Sequence, residues 1–311
     1  MDLSIVIVNW NTESLLKDCL RSVYAGLGTL EAEVIVVDNA SKDGSCAMVR
    51  AEFPLVRLVE NENNLGFAGG NNVALRCAVG RYVMLLNTDT VVHGSVLSDA
   101  IAWLDDHPAV GVMGPRLLNA DGTVQPSCSA FPSLAHLAMQ TLGLTRFAKL
   151  DAYRMTGWDR SSERHVDVIS GAAMFVRATA MQEVGHLDEA FFFYGEETDW
   201  CRRFARSGWE LVFAPIPEIT HFGNGSAGKL NHRRDVLMTE GTTRLHLKHG
   251  GLAAGLACYL ILSAHNMSRA VFWALLSLIK KPGAKERAQH FGKVVLDLPK
   301  AWPGRPAAAP A

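Results

Sequence analysis

The sequence predicts an α/β fold: a mostly parallel sheet covered by helices, with a helical extension at its C-terminal end. Short apolar runs alternate with helix-period segments four times before residue 90. The runs are apolar throughout, as strands buried on both faces are. Polar residues gather just after them, at Asn9, at Asp38 and Asn39, and at Asn87, Thr88 and Asp89. Open α/β sheets bind ligands beyond the carboxyl ends of their strands.

Leu3 to Val8 is the first strand, β-branched and wholly apolar. A helix follows, with Leu15, Leu16, Cys19, Leu20 and Val23 on one face and Asn11 or Thr12 as N-cap. Val34 to Val37 is the second strand, and a short helix leads to a third at Val56 to Val59. Asn61 to Gly66 is a polar turn, Ala68 to Val79 a helix, and Tyr82 to Leu86 the fourth strand. Asp121-Gly122 between apolar pairs signals a hairpin. Pro126 to Arg164 has weak periodicity and reads as irregular or loosely helical. Val166 to Val176 reads as a strand pair broken at Ser170-Gly171. Glu197 to Ser207 is a helix with Trp200 and Phe204 inward, and Leu211 to Ala214 a last strand.

The length of 311 residues fits one large domain with an appendage. Net charge of −1 provides no field to attract nucleic acid. The cysteines are dispersed without a CxxC pair, so they read as buried thiols of a reducing compartment. Met1 to Ser4 lacks a basic n-region, so no signal peptide is expected, and the thiols suit a reducing cytosol. Residues 1–250 are therefore expected to form the main domain, 251–298 an amphipathic helical extension and 299–311 a disordered, Pro/Ala-rich tail. The extension has two readings. Its apolar run is interrupted by His265, Asn266 and Arg269, and Lys280, Lys281, Lys285, Arg287 and Lys293 follow. That pattern suits a helix lying on an anionic membrane surface. It equally suits a core helix pair.

Several segments bear chemistry. Asn87 and Asp89 place an amide and a carboxylate where both can turn toward one hard cation, Mg²⁺ or Mn²⁺. The plainer reading is strand-to-turn chemistry. Asp38 can accept the imide proton of a uracil or thymine ring, or simply cap an Asx turn. Asn63 to Asn71 offers amides, open backbone and a helix start, all suited to diphosphate. No GxGxxG or P-loop occurs. Glu196, Glu197 and Asp199 crowd a helix start beside Phe191 to Tyr194. Acids there favour the helix dipole; one of them can also be a general base. The dipole lowers a carboxylate pKa whereas such a base needs it raised, so burial or mutual repulsion must win. His221 follows the last strand; a satisfied structural histidine is the plainer reading, and if Asp89 binds a metal this imidazole can be another ligand.

These pieces together resemble the inverting family 2 glycosyltransferases of GT-A fold, in the bacterial rhamnosyltransferase-like branch. The carrying segments are SIVIVNWNTESLLKDCLRSV, VIVVDNASKDGS, NENNLGFAGGNN, YVMLLNTDT, ISGAAMFVRA and YGEETDWCRRFARSGW, which span residues 3 to about 225. The resemblance implies transfer of a sugar from a nucleotide-diphosphate donor, dTDP-rhamnose first and UDP-sugars next. The acceptor would be a hydroxyl of a cell-surface glycan or lipid-linked saccharide, and the enzyme would be peripheral at the inner face of the cell membrane. Asp38 would hold the base, Asn64, Gly66 and Asn71 would line the donor site with Asn9 and Asn39 nearby, and Asp89 and His221 would bind the metal. Glu197 would be the base, with Glu196 as its rival. Two departures stand out: Asn87 occupies the place of a usual first Asp, and Glu197 is one methylene longer than the usual Asp. The QxxRW motif of processive synthases is missing, which implies single additions. A non-catalytic partner subunit and a sugar nucleotidyltransferase are the alternatives. The intact acid cluster argues against the first, and Asn9-Trp10-Asn11 in place of a basic Gly-rich loop against the second.

Overall fold

The computed structural model describes residues 1–144, 153, 155, 157–216, 218–223 and 230–304. The chain opens as β1 (Leu3–Asn9), α1 (Glu13–Gly26), β2 (Ala32–Asp38), α2 (Ser45–Glu52), β3 (Arg57–Glu60), α3 (Gly66–Leu75) and β4 (Tyr82–Leu86). The four strands pair in parallel. Their continuous apolar character serves two cores, because successive side chains alternate between faces. Leu3, Ile5 and Ile7 join Leu16, Leu20 and Val23 of α1 on one side. Val6, Ile35, Val37, Val83 and Leu85 meet Ala68, Trp200 and Phe204 on the other. The helix expected from Ala68 to Val79 begins and ends earlier, at Gly66 and Leu75.

The next elements are β5 (Thr90–Val92), α4 (Val96–Asp106), β6 (Val110–Gly114), β7 (Leu117–Leu118), β8 (Val124–Gln125), β9 (Cys128–Ser129) and α5 (Leu134–Thr141). After them come β10 (Arg164–His165), β11 (Val168–Ile169), β12 (Ala173–Arg177), α6 (Ala178–Val184), α7 (Glu196–Arg206), β13 (Glu210–Phe213) and β14 (Ile219–His221). The main sheet runs β10-β13-β6-β12-β4-β1-β2-β3, and a smaller one runs β5-β14-β7-β8. The sheet is more mixed than expected, since β12 enters antiparallel between β4 and β6. The two runs within 166–176 do not pair with each other: β11 joins β9 and β12 joins the main sheet. The hairpin at Asp121-Gly122 forms between β7 and β8. Of the weakly periodic 126–164 segment, 145–152, 154 and 156 lie outside the described residues. Cys46 and Cys77 are half-buried rather than buried, and all six thiols are unpaired.

The C-terminal part departs most from expectation. The helical appendage begins before residue 251, in α8 (His232–Leu278). Gly251 breaks α8 with φ 77° and ψ −176°, a conformation open to glycine alone. The chain reverses there, and a Cβ on Gly255 would lie 2.8 Å from that of Leu247. The first arm packs against the segment before α7, so closely that a Cβ on Gly241 would strike the Tyr194 carbonyl. α9 (Ala284–Asp297) then folds back over both arms, with His290 Nε2 2.8 Å from Asp235 and the Tyr259 hydroxyl donating to Leu298 O at 3.0 Å. The tail expected to be disordered from 299 is ordered at its start. Residues Leu298–Ala301 form a 3₁₀ turn, Ala301 is buried and Trp302 packs edge-on against Tyr259. Pro299 fits the first turn of that element, where a missing N–H leaves no bond unmade. Residues 305–311 lie outside the described residues.

Candidate active site

The loops leaving β1 and β2 are tied together at the carboxyl end of the sheet. Asn9, fully buried, donates from Nδ2 to Asp38 Oδ1 at 2.7 Å. Ser41 N donates to Asp38 Oδ2 at 2.8 Å, so the Asx turn foreseen as the plain reading is present. Each carboxylate oxygen retains a second lone pair for a ligand. Thr12 donates to Asn9 Oδ1 at 2.7 Å and lies 3.1 Å from the Thr88 hydroxyl. The polar ends of β1, β2 and β4 thus form one network, which links Asp38 to the Asn87-Thr88-Asp89 turn.

The Asn63–Asn71 loop is held from inside. Asn39 donates to Gly66 O at 2.9 Å, and Asn64 Oδ1 accepts from Gly66 N at 2.8 Å. Gly66 sits at φ 74°, and a Cβ there would lie 2.1 Å from the Phe192 carbonyl. Phe67 N donates to that same carbonyl at 3.0 Å. Asn71 Nδ2 donates to Phe67 O, within α3. The side chains of Asn39, Asn64 and Asn71 therefore shape this loop, and the Phe67 N–H docks it on the segment between α6 and α7.

Asp89 and His221 meet although 132 positions apart, because β14 runs antiparallel to β5 with Thr90 opposite His221. His221 Nε2 lies 3.2 Å from Asp89 Oδ1. On the other side of the ring, His221 Nδ1 donates to Gln125 Oε1 at 2.7 Å. With Nδ1 carrying the proton, Nε2 presents its lone pair toward the carboxylate. Such an arrangement fits a divalent cation: a hydrogen bond behind an imidazole fixes the tautomer of a ligating histidine. Two protein ligands plus phosphate oxygens are also typical for Mg²⁺. Among the described residues, no group of three or more His, Cys, Asp or Glu side chains could hold a metal. The Asn87 backbone is engaged, its N donating to Ala172 O and its O accepting from Thr90 Oγ1.

The acid cluster separates into three environments. Glu196 is 4% exposed and its Oε2 has no hydrogen-bond partner among the described residues. Burial, reinforced by the charge of Glu197, pushes its pKa well above the ordinary value. Glu197 is half-buried and lines a cavity of about 370 Å³ with Pro126, Ser127, Ser129, Ser170 and Thr198. Burial raises its pKa too, against the helix-start N–H groups that lower it. The conflict between dipole and burial is thus won by burial. Asp199 is wholly buried and belongs elsewhere: it contacts Arg203 Nε at 2.9 Å, and Lys248 Nζ and His249 Nε2 at 2.8 Å each. It fastens α7 to the first arm of α8. Tyr194 (φ 74°) and Gly195 (φ 99°) are both left-handed just before the acids, a costly backbone for tyrosine.

The cavity adjoins the Asp89–His221 pair along two walls. Gln125, which holds His221, precedes Pro126 in the lining. Ala172, which pairs with Asn87, follows Gly171, whose Cβ position lies 3.8 Å from Glu197 Cβ. Gln125 escaped sequence reasoning; its place at the end of β8, facing the returning β14, was not legible without the pairing.

The family model described as "Glycosyl transferase family 2" matches residues 4–152, and "Glycosyl transferase family group 2" matches residues 82–279. The chain is 30% identical over 210 residues to the N-acetylglucosaminyl-diphospho-decaprenol L-rhamnosyltransferase of Mycobacterium tuberculosis, covering 63% of this chain and 68% of that protein. It is 25% identical over 224 residues to a low-salt glycan biosynthesis hexosyltransferase of Haloferax volcanii, covering 71% and 67%. Among solved structures, a Pyrobaculum calidifontis mannosyltransferase in complex with GDP-Man and Mn²⁺ superposes with TM-score 0.57 at 17% identity, over 96% of this chain and 86% of that one. The 1–349 portion of TarS from S. aureus superposes with TM-score 0.53 at 16% identity, over 96% and 92%. These likenesses share the GT-A fold, and the chain belongs to glycosyltransferase family 2.

Proposed function

We propose that this chain is a metal-assisted, inverting transferase. In this reading it moves L-rhamnose from a dTDP-linked donor to a hydroxyl of a lipid-linked saccharide during cell-surface glycan assembly. The observation that carries the reading is the continuity of the site. One hydrogen-bonded network runs from Asp38 through Asn9 and Thr12 to Thr88. Asp89 and His221 stand next to it, and the Glu197 cavity opens beside them. The donor choice is supported by the mycobacterial relative, whose name specifies L-rhamnosyl transfer onto a lipid-linked N-acetylglucosamine.

Glu197 accepts the proton of the acceptor hydroxyl as that oxygen attacks the anomeric carbon from the face opposite the nucleotide. The bond to the diphosphate oxygen breaks, its electron pair leaves with the nucleotide, and the configuration inverts. Glu196, deeper and with its pKa raised further, leaves Glu197 as the readier of the pair to take up the role of base. Asp38 accepts the imide N–H of the base, and the Gly66 loop gives the diphosphate room. Asp89 and His221 would hold a divalent cation, Mg²⁺ or Mn²⁺, which when bound would neutralise charge on the diphosphate. The reaction belongs at the inner face of the cell membrane, since nucleotide sugars are made in the cytosol.

A panel of nucleotide sugars tests the reading. Hydrolysis and calorimetric binding are measured with Mg²⁺, with Mn²⁺ and with EDTA. The expected result is metal-dependent binding and turnover of a dTDP-deoxysugar. Preference for a UDP-sugar overturns the donor, and full activity in EDTA overturns the metal.

A further inference from the structure

The second arm of α8 has a face that nothing in the chain covers. Leu252, Leu256, Leu260, Met267, Val271 and Leu275 follow one another at four- and seven-residue spacing and are all about half exposed or more. The stripe runs on to Leu278 and Ile279, which are 79% and 72% exposed. The opposite face does the packing: Gly255, Cys258 and Asn266 are buried there. The polar interruption of the apolar run lies off the stripe. Arg269 stands two residues from both Met267 and Val271, so helical spacing turns it to the far side.

The charge around the stripe has one sign. No acidic residue occurs between Gly251 and Lys285, whereas Arg269, Lys280, Lys281 and Lys285 do. A second copy seated on this face would bring two such sets of cations together. A bilayer span does not fit either, because α9 packs along α8 with Arg287 over the Trp273 ring at 4.5 Å, and carries Lys285, Glu286 and Lys293 with it. A helix with one apolar face and flanking cations fits the plane of a membrane interface.

We infer that the second arm of α8 docks the protein on an anionic lipid surface, with the apolar stripe inserted among the acyl chains and the Lys280–Lys285 turn against the headgroups. The first arm of the same hairpin is fastened to α7 through Asp199, Lys248 and His249, so the docked element is also the one that braces the acid segment. The inference does not depend on the proposed donor or acceptor, and its test uses no sugar.

The full chain is floated with vesicles of phosphatidylcholine alone and of phosphatidylcholine with phosphatidylglycerol, at low and high salt. The expected result is co-flotation with the anionic vesicles that weakens with salt. Each cation contributes about fivefold in partition at low salt, so Lys280→Gln/Lys281→Gln/Lys285→Gln lowers it roughly a hundredfold. Leu256→Ser/Leu260→Ser, on exposed positions, also releases the protein, and circular dichroism checks that both variants stay folded. Three results overturn the inference: no flotation with anionic vesicles, stripe variants that split a dimer while flotation is unchanged, or a protein that resists alkaline extraction from cell membranes as a spanning helix would.

Discussion

Replacing Glu196 by Gln should stabilise the protein increasingly as pH rises. Glu196 is buried beside Glu197 and has an oxygen without a partner, so its folded pKa stands well above the ordinary 4.5. A carboxyl raised in this way lends its full stability below pH 4.5 and forfeits it as pH climbs through the folded value. Within that window the loss approaches about 1.4 kcal/mol per pH unit for one proton. The isosteric amide cannot ionise and escapes it. For a chain of 311 residues that gain amounts to about 2 °C in Tm per pH unit. The assay is thermal unfolding of both proteins from pH 4.5 to 9, with the difference in Tm as the readout. The fit of the amide adds a constant to that difference, so only its slope with pH is diagnostic. A difference that stays flat across the range would refute the reasoning, for it would mean that Glu196 ionises equally easily folded and unfolded.

Three further outcomes follow from the geometry. Asp89→Ala should abolish Mn²⁺-dependent tightening of donor binding in calorimetry while Tm stays within a few degrees, and Gln125→Leu should weaken that tightening about 10- to 100-fold, as loss of a group behind a metal-bound imidazole does. Asp199→Asn should cost about 2–3 kcal/mol, read by chemical denaturation, because it removes the buried charge that Arg203, Lys248 and His249 share; Lys248 keeps Asp188 at 2.6 Å and Arg203 keeps the Val184 and His186 carbonyls, which with partial solvation holds the loss below that of a fully stranded charge.

Much of the site was legible in the sequence because strand ends announce themselves. Continuous apolar runs closed by Asn9, Asp38 and Asn87 to Asp89 mark where a parallel sheet stops, and the structure joins those ends by hydrogen bonds. What the sequence could not convey is direction and return. A central antiparallel strand such as β12 is as uniformly apolar as a parallel one, so its orientation left no trace. Gln125 acquires its role only when β14 comes back beside β7, the partner of β8. Glu196 and Glu197 are chemically identical, and only the turn of α7 sends one inward and the other to the cavity wall. The Asx turn at Asp38 and the helix-start acids were both foreseen as plain structural readings. Both are present, and Asp199 turned out to serve the α8 hairpin instead of the dipole alone. The reversal at Gly251 rests on one residue's left-handed backbone, which no periodicity reports.

The central claim is that Glu197 is the base of an inverting transfer. It is tested most directly by single-turnover kinetics of Glu197→Gln with the best donor from the panel and an acceptor hydroxyl. The expected result is that kcat falls at least about a hundredfold while donor affinity is little changed, because a base acts in the transition state. A Glu197→Gln enzyme that keeps its kcat, with Glu196→Gln as the dead variant, would contradict it.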